Sequence, residues 1–185
     1  MEFNQHYHLI GKHAFLSASQ YHWTKYTPEK LEQVYTNQQA KERGTLLHDF
    51  ASNAIQQRIK LAPLKKAINK FVNDAIGFGM ESEQVLYYSD NCFGTADAIL
   101  FKDNLLRIHD LKTGVSKPSF RQLDIYAALF CHEYNVNPND IQIEERIYQN
   151  NGYETNIPDP NDIIDIMDKI VEFDIIIDKM RSNSL

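Results

Sequence analysis

The amino-acid sequence predicts an α/β fold with a mixed sheet, a helical N-terminal part and a C-terminal helix. Residues 28–76 show helical spacing, and residues 84–112 consist of short β-branched or aromatic segments separated by polar turns. Residues 159–180 have an amphipathic helical pattern. With 185 residues and 43% hydrophobic content, the chain can bury a full core, so we expect a single domain over residues 1–185.

The helical N-terminal part starts at a Thr-Pro-Glu run (27–29), which is typical of an N-cap, a first-turn proline and an acidic first turn. This helix is predicted to end at about Arg43. A second helix is predicted from Gly44, with apolar residues at helical spacing, and it ends near Pro63. Residues 64–76 are predicted to form a third, shorter helix.

The rest of the chain combines strands with two helices. The predicted elements are, in order, strands at 84–89, 93–101 and 105–112, a helix at 119–134, a hairpin of strands at 141–149 and 153–157, and a helix from Asp159 to about Met180. The second hairpin and the final helix make up residues 141–185.

The charge of the chain is unevenly distributed. The net charge is −6, which argues against a nucleic-acid partner. However, residues 151–185 hold eight acidic and three basic residues, whereas residues 1–150 hold 17 acidic and 16 basic residues. A positively charged groove in residues 1–150 is therefore compatible with the sequence, and the acidic C-terminal helix is a candidate surface for a protein partner.

Two features predict the cellular compartment. Cys92 and Cys131 are the two cysteines, and they form no CxxC pattern. No apolar run is long enough to cross a bilayer, and the N-terminus lacks the apolar segment of a signal peptide. We therefore expect a reduced, cytoplasmic protein without a membrane partner.

The hairpin of the second and third predicted strands brings two carboxylates together. If its turn centres on Asp103 and Asn104, then Asp97 lies directly opposite Asp110, with Cβ atoms about 4.5–5.5 Å apart. Lys112 follows Asp110 by two positions and projects from the same face. A three-residue turn would instead move Asp110 to the opposite face.

This arrangement predicts a metal site. Two charges about 5 Å apart repel each other by roughly 3 kcal/mol at an effective dielectric of about 20, so the pair needs a shared proton, a cation or a metal ion. Carboxylate oxygens suit Mg²⁺. The alternative is a solvent-facing hairpin, which apolar neighbours such as Ile99 and Ile108 disfavour. Lys112 either neutralises the acids or stabilises charge that develops on a phosphate.

Histidines and cations add further candidates. His48, on the helix after Gly44, is either a packed histidine or a metal ligand. His109 points to the other face of its strand and is interpreted as a packed residue. Lys117 and Arg121 can contact phosphates, but one or two cations are normally just solvated.

Gln122 and Tyr126 lie four residues apart on the predicted helix after the third strand, so they share a helix face. One interpretation is a core tyrosine beside a surface glutamine. The other is a pair that lines the cleft and contacts nucleotide or Lys112.

Four motifs, taken together and in this order, resemble the RecB-like branch of the PD-(D/E)XK nuclease superfamily. That branch is marked by a GxxxH helix, a GxxD strand, a D-x-K strand and a Q-x-x-x-Y helix, which here are Gly44-Thr-Leu-Leu-His48, Gly94-Thr-Ala-Asp97, Asp110-Leu-Lys112 and Gln122-Leu-Asp-Ile-Tyr126. The segment from Leu16 also resembles the LSxS segment near the start of such domains, so the motifs span residues 16–126. Ala96 stands where the superfamily name has proline.

The resemblance implies an α/β/α restriction-endonuclease-like core and a metal-dependent active site. The implied ligands of Mg²⁺ or Mn²⁺ are His48, Asp97, Asp110, the backbone carbonyl of Leu111 and, as an assisting residue, Glu83. Lys112 is the implied catalytic lysine. The cysteines that hold an iron–sulfur cluster in some relatives are missing, so we expect no such cluster.

The implied activity is hydrolysis of phosphodiester bonds in single- or double-stranded DNA, by an exonuclease rather than a site-specific endonuclease. Recombination, repair or phage DNA processing is the implied setting, since small free-standing members resemble phage or prophage nucleases. The alternative is a catalytically silent nuclease fold that binds DNA or a protein.

Overall fold

The computed structural model describes residues 4–183 and confirms an α/β fold with a mixed sheet. Its contacts divide the chain into two compact units, one ending at Arg43 and the other starting at Gly44. Each unit is therefore considered by itself, and a single domain over residues 1–185 stays a prediction.

The sequence predicted most elements to within about three residues of their observed bounds. The helices and strands are α1 Pro28–Gln56, α2 Ala67–Phe78, β1 Glu81–Ser89, β2 Cys92–Lys102, β3 Leu105–Lys112, α3 Arg121–Glu133, β4 Gln142–Gln149, β5 Gly152–Asn156 and α4 Pro160–Ser182. Three short 3₁₀ segments lie at Tyr7–Leu9, Ala18–Lys25 and Pro138–Asp140. None of the helices that the structure describes has both the length and the apolar character needed to span a bilayer.

The first unit contains two of the 3₁₀ segments and the beginning of α1. The indole nitrogen of Trp23 donates a hydrogen bond to the carbonyl of Ser17 at 2.8 Å. The rings of Phe15 and Tyr35 meet edge to face, with centroids 5.1 Å apart. These local contacts fix the 3₁₀ segment and the chain before α1.

The predicted break between two helices at Gly44 is wrong, because α1 continues through this position to Gln56. A glycine inside a helix costs only about 1 kcal/mol relative to alanine, which the packing of the rest of the helix can offset. Gly44 instead allows a close approach, since a Cβ atom there would lie 2.8 Å from the hydroxyl of Thr113, directly after β3.

The second unit is built on a five-stranded sheet in the order β1-β2-β3-β4-β5. The β3–β4 pair is parallel, and the other three pairs are antiparallel. Asp103 and Asn104 both have positive φ, at 52° and 58°, as a tight two-residue hairpin turn requires. Ala98 pairs with His109, which confirms the predicted hairpin register.

Helices pack on both faces of the sheet and create two apolar clusters. On one face, α3 and α4 pack on the sheet in a cluster that includes Leu86, Ile99, Ile108, Leu123, Leu129, Ile147 and Ile163. On the other face, α2 and the end of α1 pack on the sheet in a cluster that includes Ala51, Ile55, Phe71, Val72, Ala98, Leu111 and Tyr148. The β2 and β3 strands therefore lie between two layers of helices.

Two glycines test how tightly the helices approach the strands. A Cβ atom at Gly94 in β2 would lie 2.9 Å from Cε1 of Tyr126, whereas one at Gly77 in α2 would meet nothing within 4 Å. We expect Gly94→Ala to lower the free energy of unfolding by about 1–3 kcal/mol through overpacking. We expect Gly77→Ala to raise it by up to about 1 kcal/mol through helix propensity. Urea denaturation measures both, and equal effects would contradict the packing described here.

Candidate metal centre

The candidate site begins where the β2–β3 hairpin leaves its regular ladder. Asp97 and Asp110 lie one position beyond the Ala98–His109 pair. The backbone N–H of Leu111 donates a hydrogen bond to Oδ2 of Asp97 at 2.8 Å. The carboxylate of Asp97 is therefore held against β3, next to Asp110, by the backbone of the neighbouring strand.

Asp110 is a buried carboxylate with only 2% of its surface exposed. The ammonium of Lys112 lies 3.0 Å from each of its oxygens but donates its hydrogen bond to Oδ1. Among the described residues, Oδ2 has no hydrogen-bond donor. Burial and, secondly, the charge of Asp97 raise the pKa of Asp110, while Lys112 lowers it. The site thus contains a buried carboxylate whose Oδ2 accepts no hydrogen bond from the described residues and has the Lys112 ammonium as its near cation.

His48 reaches the same carboxylates from α1. Its Nδ1 lies 3.4 Å from Oδ2 of Asp97. The hydrogen bond to Asp97 raises the pKa of His48 above its ordinary value, and the charges of Asp97, Asp110 and Glu83 add to this effect, whereas burial opposes it. In the absence of a cation, the imidazolium form of His48 is therefore stabilised by the surrounding acids.

Glu83 approaches the site through an unusual backbone conformation. It lies inside β1, between the Ser82–Ala98 and Gln84–Ala96 pairs, with a φ of 53°. A left-handed residue other than glycine costs on the order of 1–3 kcal/mol, and such strain is concentrated at functional sites. One ligand atom each from His48, Glu83 and Asp97 lie within 4.8 Å of one another. Burial and then the charge of Asp97 raise the pKa of Glu83.

A chain of hydrogen bonds orients Lys112. Its ammonium donates to Oε1 of Gln122 at 2.7 Å, and Nε2 of Gln122 donates to the hydroxyl of Tyr126 at 2.9 Å. The Tyr126 ring is adjacent to Gly94, where a larger residue would clash. Burial raises the pKa of Tyr126, so its hydroxyl stays protonated at neutral pH. Residues on α3 therefore fix the amine relative to Asp110.

The structure brings together most of the side chains that the sequence singled out, namely His48, Glu83, Asp97, Asp110, Lys112, Gln122 and Tyr126. Leu111 joins the site through its N–H, and its carbonyl as a metal ligand stays a prediction. Lys117 is exposed in the loop after β3 and makes no described contact with these residues. Arg121 lies 3.6 Å from Asp124 instead.

His109 is a packed residue, as predicted, and is buried on β3. Its Nδ1 lies 3.3 Å from the hydroxyl of Tyr148, and its ring meets that of Phe78 edge to face. Burial and the nearby Arg146 and Arg107 lower its pKa to about 3. His109 is therefore neutral at physiological pH.

The donor set fits a hard divalent cation. Carboxylate oxygens are the ligands that Mg²⁺ and Mn²⁺ prefer, and a neutral imidazole can complete such a set. The ligand atoms of His48, Glu83 and Asp97 lie close enough together to share one ion, and the charge of Asp110 interacts with both His48 and Asp97.

Sequence reasoning missed two features of the site. The left-handed conformation of Glu83 has no local sequence signal, because neither glycine nor asparagine occupies the position. The hydrogen bond from the N–H of Leu111 to Asp97 was also missed. It requires the end of the hairpin to depart from regular pairing, which hydrophobic patterning does not encode.

Comparison with known proteins adds one family. Residues 80–151 match the family described as "Protein of unknown function (DUF2800)". The matched segment is less than half of the chain and contains the site residues from Glu83 to Tyr126, but not His48. No curated protein and no solved structure matches the chain.

The pairing of His48 with Asp97 predicts a pH-dependent effect in metal-free protein. We expect the His48 pKa to exceed 6.5 in the native protein and to fall in Asp97→Asn, as measured by NMR titration. Because the folded pKa is raised, the pair stabilises the protein below the unfolded pKa, and this contribution is lost as pH rises through the folded pKa. The substitution should therefore destabilise the protein more at pH 6 than at pH 9.

His109 is the internal control for this titration, since it stays neutral in both proteins. A His48 pKa that is the same in wild type and Asp97→Asn, with the fold intact, would show that the two groups are not paired.

Proposed function

We propose that this chain is a divalent-metal-dependent deoxyribonuclease of the RecB-like branch of the PD-(D/E)XK superfamily. The observation that carries the proposal is the buried Asp110 carboxylate, which lies beside both Lys112 and Asp97. A lysine next to a cation-binding pair of carboxylates suits hydrolysis of a phosphodiester, whose transition state carries concentrated negative charge.

The residues that would hold Mg²⁺ or Mn²⁺ are His48, Asp97, Asp110, the carbonyl of Leu111 and Glu83. The ion, when bound, lowers the pKa of a coordinated water and neutralises charge on the phosphate. The charge of Asp97 raises the pKa of Asp110, and a bound cation would offset this effect.

Lys112 is the proposed catalytic lysine. An ammonium group has three donors, of which Asp110 and Gln122 accept one each. The remaining donor is available for a phosphate oxygen or for the attacking water. Because Gln122 is itself fixed by Tyr126, the amine is oriented before substrate arrives, which lowers the reorganisation needed in the transition state.

The resemblance supports action on DNA ends, as an exonuclease, in recombination, repair or phage DNA processing. Single- and double-stranded DNA are both candidate substrates. The two cysteines, which form no CxxC pattern, support a reducing, cytoplasmic setting.

Cleavage of labelled DNA tests this proposal. We expect linear DNA to be degraded with Mg²⁺ or Mn²⁺ but not with EDTA, and circular DNA to persist. Asp110→Asn and Lys112→Ala should each lower the rate by at least about 100-fold, since each removes an interaction made to the reacting phosphate or its cation.

Asp103→Asn is the matched control, because Asp103 is a surface acid in the turn at the other end of the same hairpin. Asparagine tolerates the left-handed conformation there, so we expect wild-type activity. The proposal is rejected if no substrate is cleaved with either metal, or if Asp110→Asn and Lys112→Ala cleave as fast as Asp103→Asn.

One observation favours a second function, a catalytically silent nuclease fold that binds DNA or a protein. His48 and Lys112 already pair with Asp97 and Asp110, so the acids are partly neutralised without a metal ion. The acidic helix α4 also exposes apolar side chains, with Phe173 52% and Met180 63% exposed, as a protein-docking surface would.

Calorimetric titration with Mn²⁺ distinguishes the two functions. A nuclease should bind the ion with millimolar or tighter affinity, and Asp97→Asn should weaken binding at least about tenfold, because a carboxylate ligand loses its charge. Asp103→Asn should bind as wild type does. Absence of binding to wild type, together with a stable complex with a protein partner, would favour the silent fold.

A further inference from the structure

The connection between α1 and α2 carries a concentration of positive charge that the candidate site does not use. Residues 50–73 contain five basic residues and no acidic residue, in a chain whose net charge is −6. We refer to these residues as the basic segment: Arg58, Lys60, Lys65, Lys66 and Lys70.

The parallel pairing of β3 and β4 connects the candidate site to this region. Lys112, the last residue of β3, pairs with Gln149, the last residue of β4. Nε2 of Gln149 donates hydrogen bonds to the carbonyls of Gly114 at 2.6 Å and Ser116 at 2.9 Å. The loop that follows Lys112 is therefore fixed to the end of β4.

The start of α2 is fixed to the same end of the sheet. The N–H of Ala67 donates to the carbonyl of Asn150 at 2.9 Å, and the ammonium of Lys70 donates to the carbonyl of Asn151 at 3.0 Å. Neighbouring strands lie about 4.8 Å apart and consecutive Cα atoms 3.8 Å apart, which puts the start of α2 roughly 10–15 Å from Lys112.

The charges of the basic segment are available to a partner. Lys60, Lys65 and Lys66 are exposed, and none forms an ion pair with another described residue. Arg58 lies 3.7 Å from Glu81. Lys117, also exposed, lies on the loop that Gln149 holds. Exposed lysines therefore flank the β4–β5 turn, with Lys117 on the loop after β3 and Lys65 and Lys66 just before α2.

Glu154 is an acidic side chain near this surface. It lines a small cleft together with Pro118, Gln149 and Asn150, between the loop after β3 and the β4–β5 turn. The exposed lysines of the two flanking segments, Lys65, Lys66 and Lys117, outnumber this carboxylate.

We propose that the phosphate backbone of a nucleic-acid strand runs from Lys112 past Lys117 to Lys65 and Lys66. This inference rests on the proposed function, because it takes the phosphate at Lys112 as the point of reaction. A polyanion with regularly spaced charges suits a row of exposed lysines on a chain whose net charge would otherwise repel it. Phosphates of one strand are spaced by about 3.4 Å along a duplex axis and by more along the strand itself, so the contacts fall within about five nucleotides of the reacting bond.

Binding of fluorescently labelled DNA tests this path. The variant is Lys65→Gln/Lys66→Gln, and it is compared with the wild type in EDTA. The same comparison is made with Mg²⁺ after Lys112→Ala is introduced into both proteins. Anisotropy at several salt concentrations should show binding weaker by roughly tenfold at low salt, and a salt slope reduced by about two, because two phosphate contacts are lost.

The matched control is Lys102→Gln/Lys179→Gln, which removes the same charge from two exposed lysines. Lys102, the last residue of β2, pairs with the first residue of β3 and so lies at the other end of that strand from Lys112. Lys179 lies on α4. We expect this control to bind DNA within about twofold of wild type, since neither lysine contacts a phosphate of the proposed path.

Protection from acetylation is a second measurement that needs no variant. Bound DNA should shield Lys65, Lys66 and Lys117 of wild type from an acetylating reagent, as read by mass spectrometry, and leave Lys102 and Lys179 reactive. The path would be overturned by any of three results. The two double variants could bind DNA equally, Lys65 and Lys66 could remain unprotected, or DNA could fail to bind under either condition.

These outcomes separate the path from the proposed function. DNA binding that depends on Lys65 and Lys66, without DNA cleavage in the presence of any metal ion, would reject the proposed nuclease activity and support the binding path. Metal-dependent DNA cleavage, with Lys65 and Lys66 unprotected from acetylation, would support the proposed nuclease activity and reject the binding path.

Discussion

Burial of the negative charge of Asp110 is the constraint on which the site depends. A carboxylate that is 2% exposed cannot be hydrated, so its charge must be balanced by the protein or by a bound cation. Lys112 balances part of it, and Asp97 works against it. One ammonium group thus faces the two carboxylates of Asp97 and Asp110, and a divalent cation would balance the remaining negative charge.

The sheet converts this local imbalance into an organised site. The two-residue turn at Asp103 and Asn104 sets the hairpin register that brings Asp97 and Asp110 to adjacent positions. Glycines then let the helices close on the strands, with Gly44 against Thr113 and Gly94 against Tyr126. A site that needs carboxylates, an amine and an imidazole within a few ångströms is thus supported from both faces of the sheet.

The strand content and the hairpin register were predictable because both follow from local rules. Alternation of apolar residues identifies a strand, and turn length fixes which residues face each other. Gly44 shows where local rules fail. A glycine at a predicted helix boundary suggested two helices, but α1 is continuous there and the glycine instead allows the close approach of Thr113. Glu83 shows a different limit, because strain in one residue is tolerated only in the context of the complete fold.

The basic segment shows that the net charge of a chain does not give the local charge near a site in the fold. A net charge of −6 and an acidic α4 disfavour nucleic acid when the chain is taken as a whole. The parallel β3–β4 pair and the β4–β5 turn bring the start of α2, with Lys65, Lys66 and Lys70, to the end of the sheet that holds Lys112. Topology therefore places positive charge near the site although the protein is acidic.

A crystal soaked in Mn²⁺ and measured at a wavelength with strong manganese anomalous scattering tests the central claim most directly. The account predicts an anomalous peak bonded to Oδ2 of Asp110 and to Asp97, at about 2.0–2.3 Å as expected for a small divalent ion with oxygen ligands. A fully soaked crystal with Asp110 still buried against Lys112 and no peak at these carboxylates would contradict it.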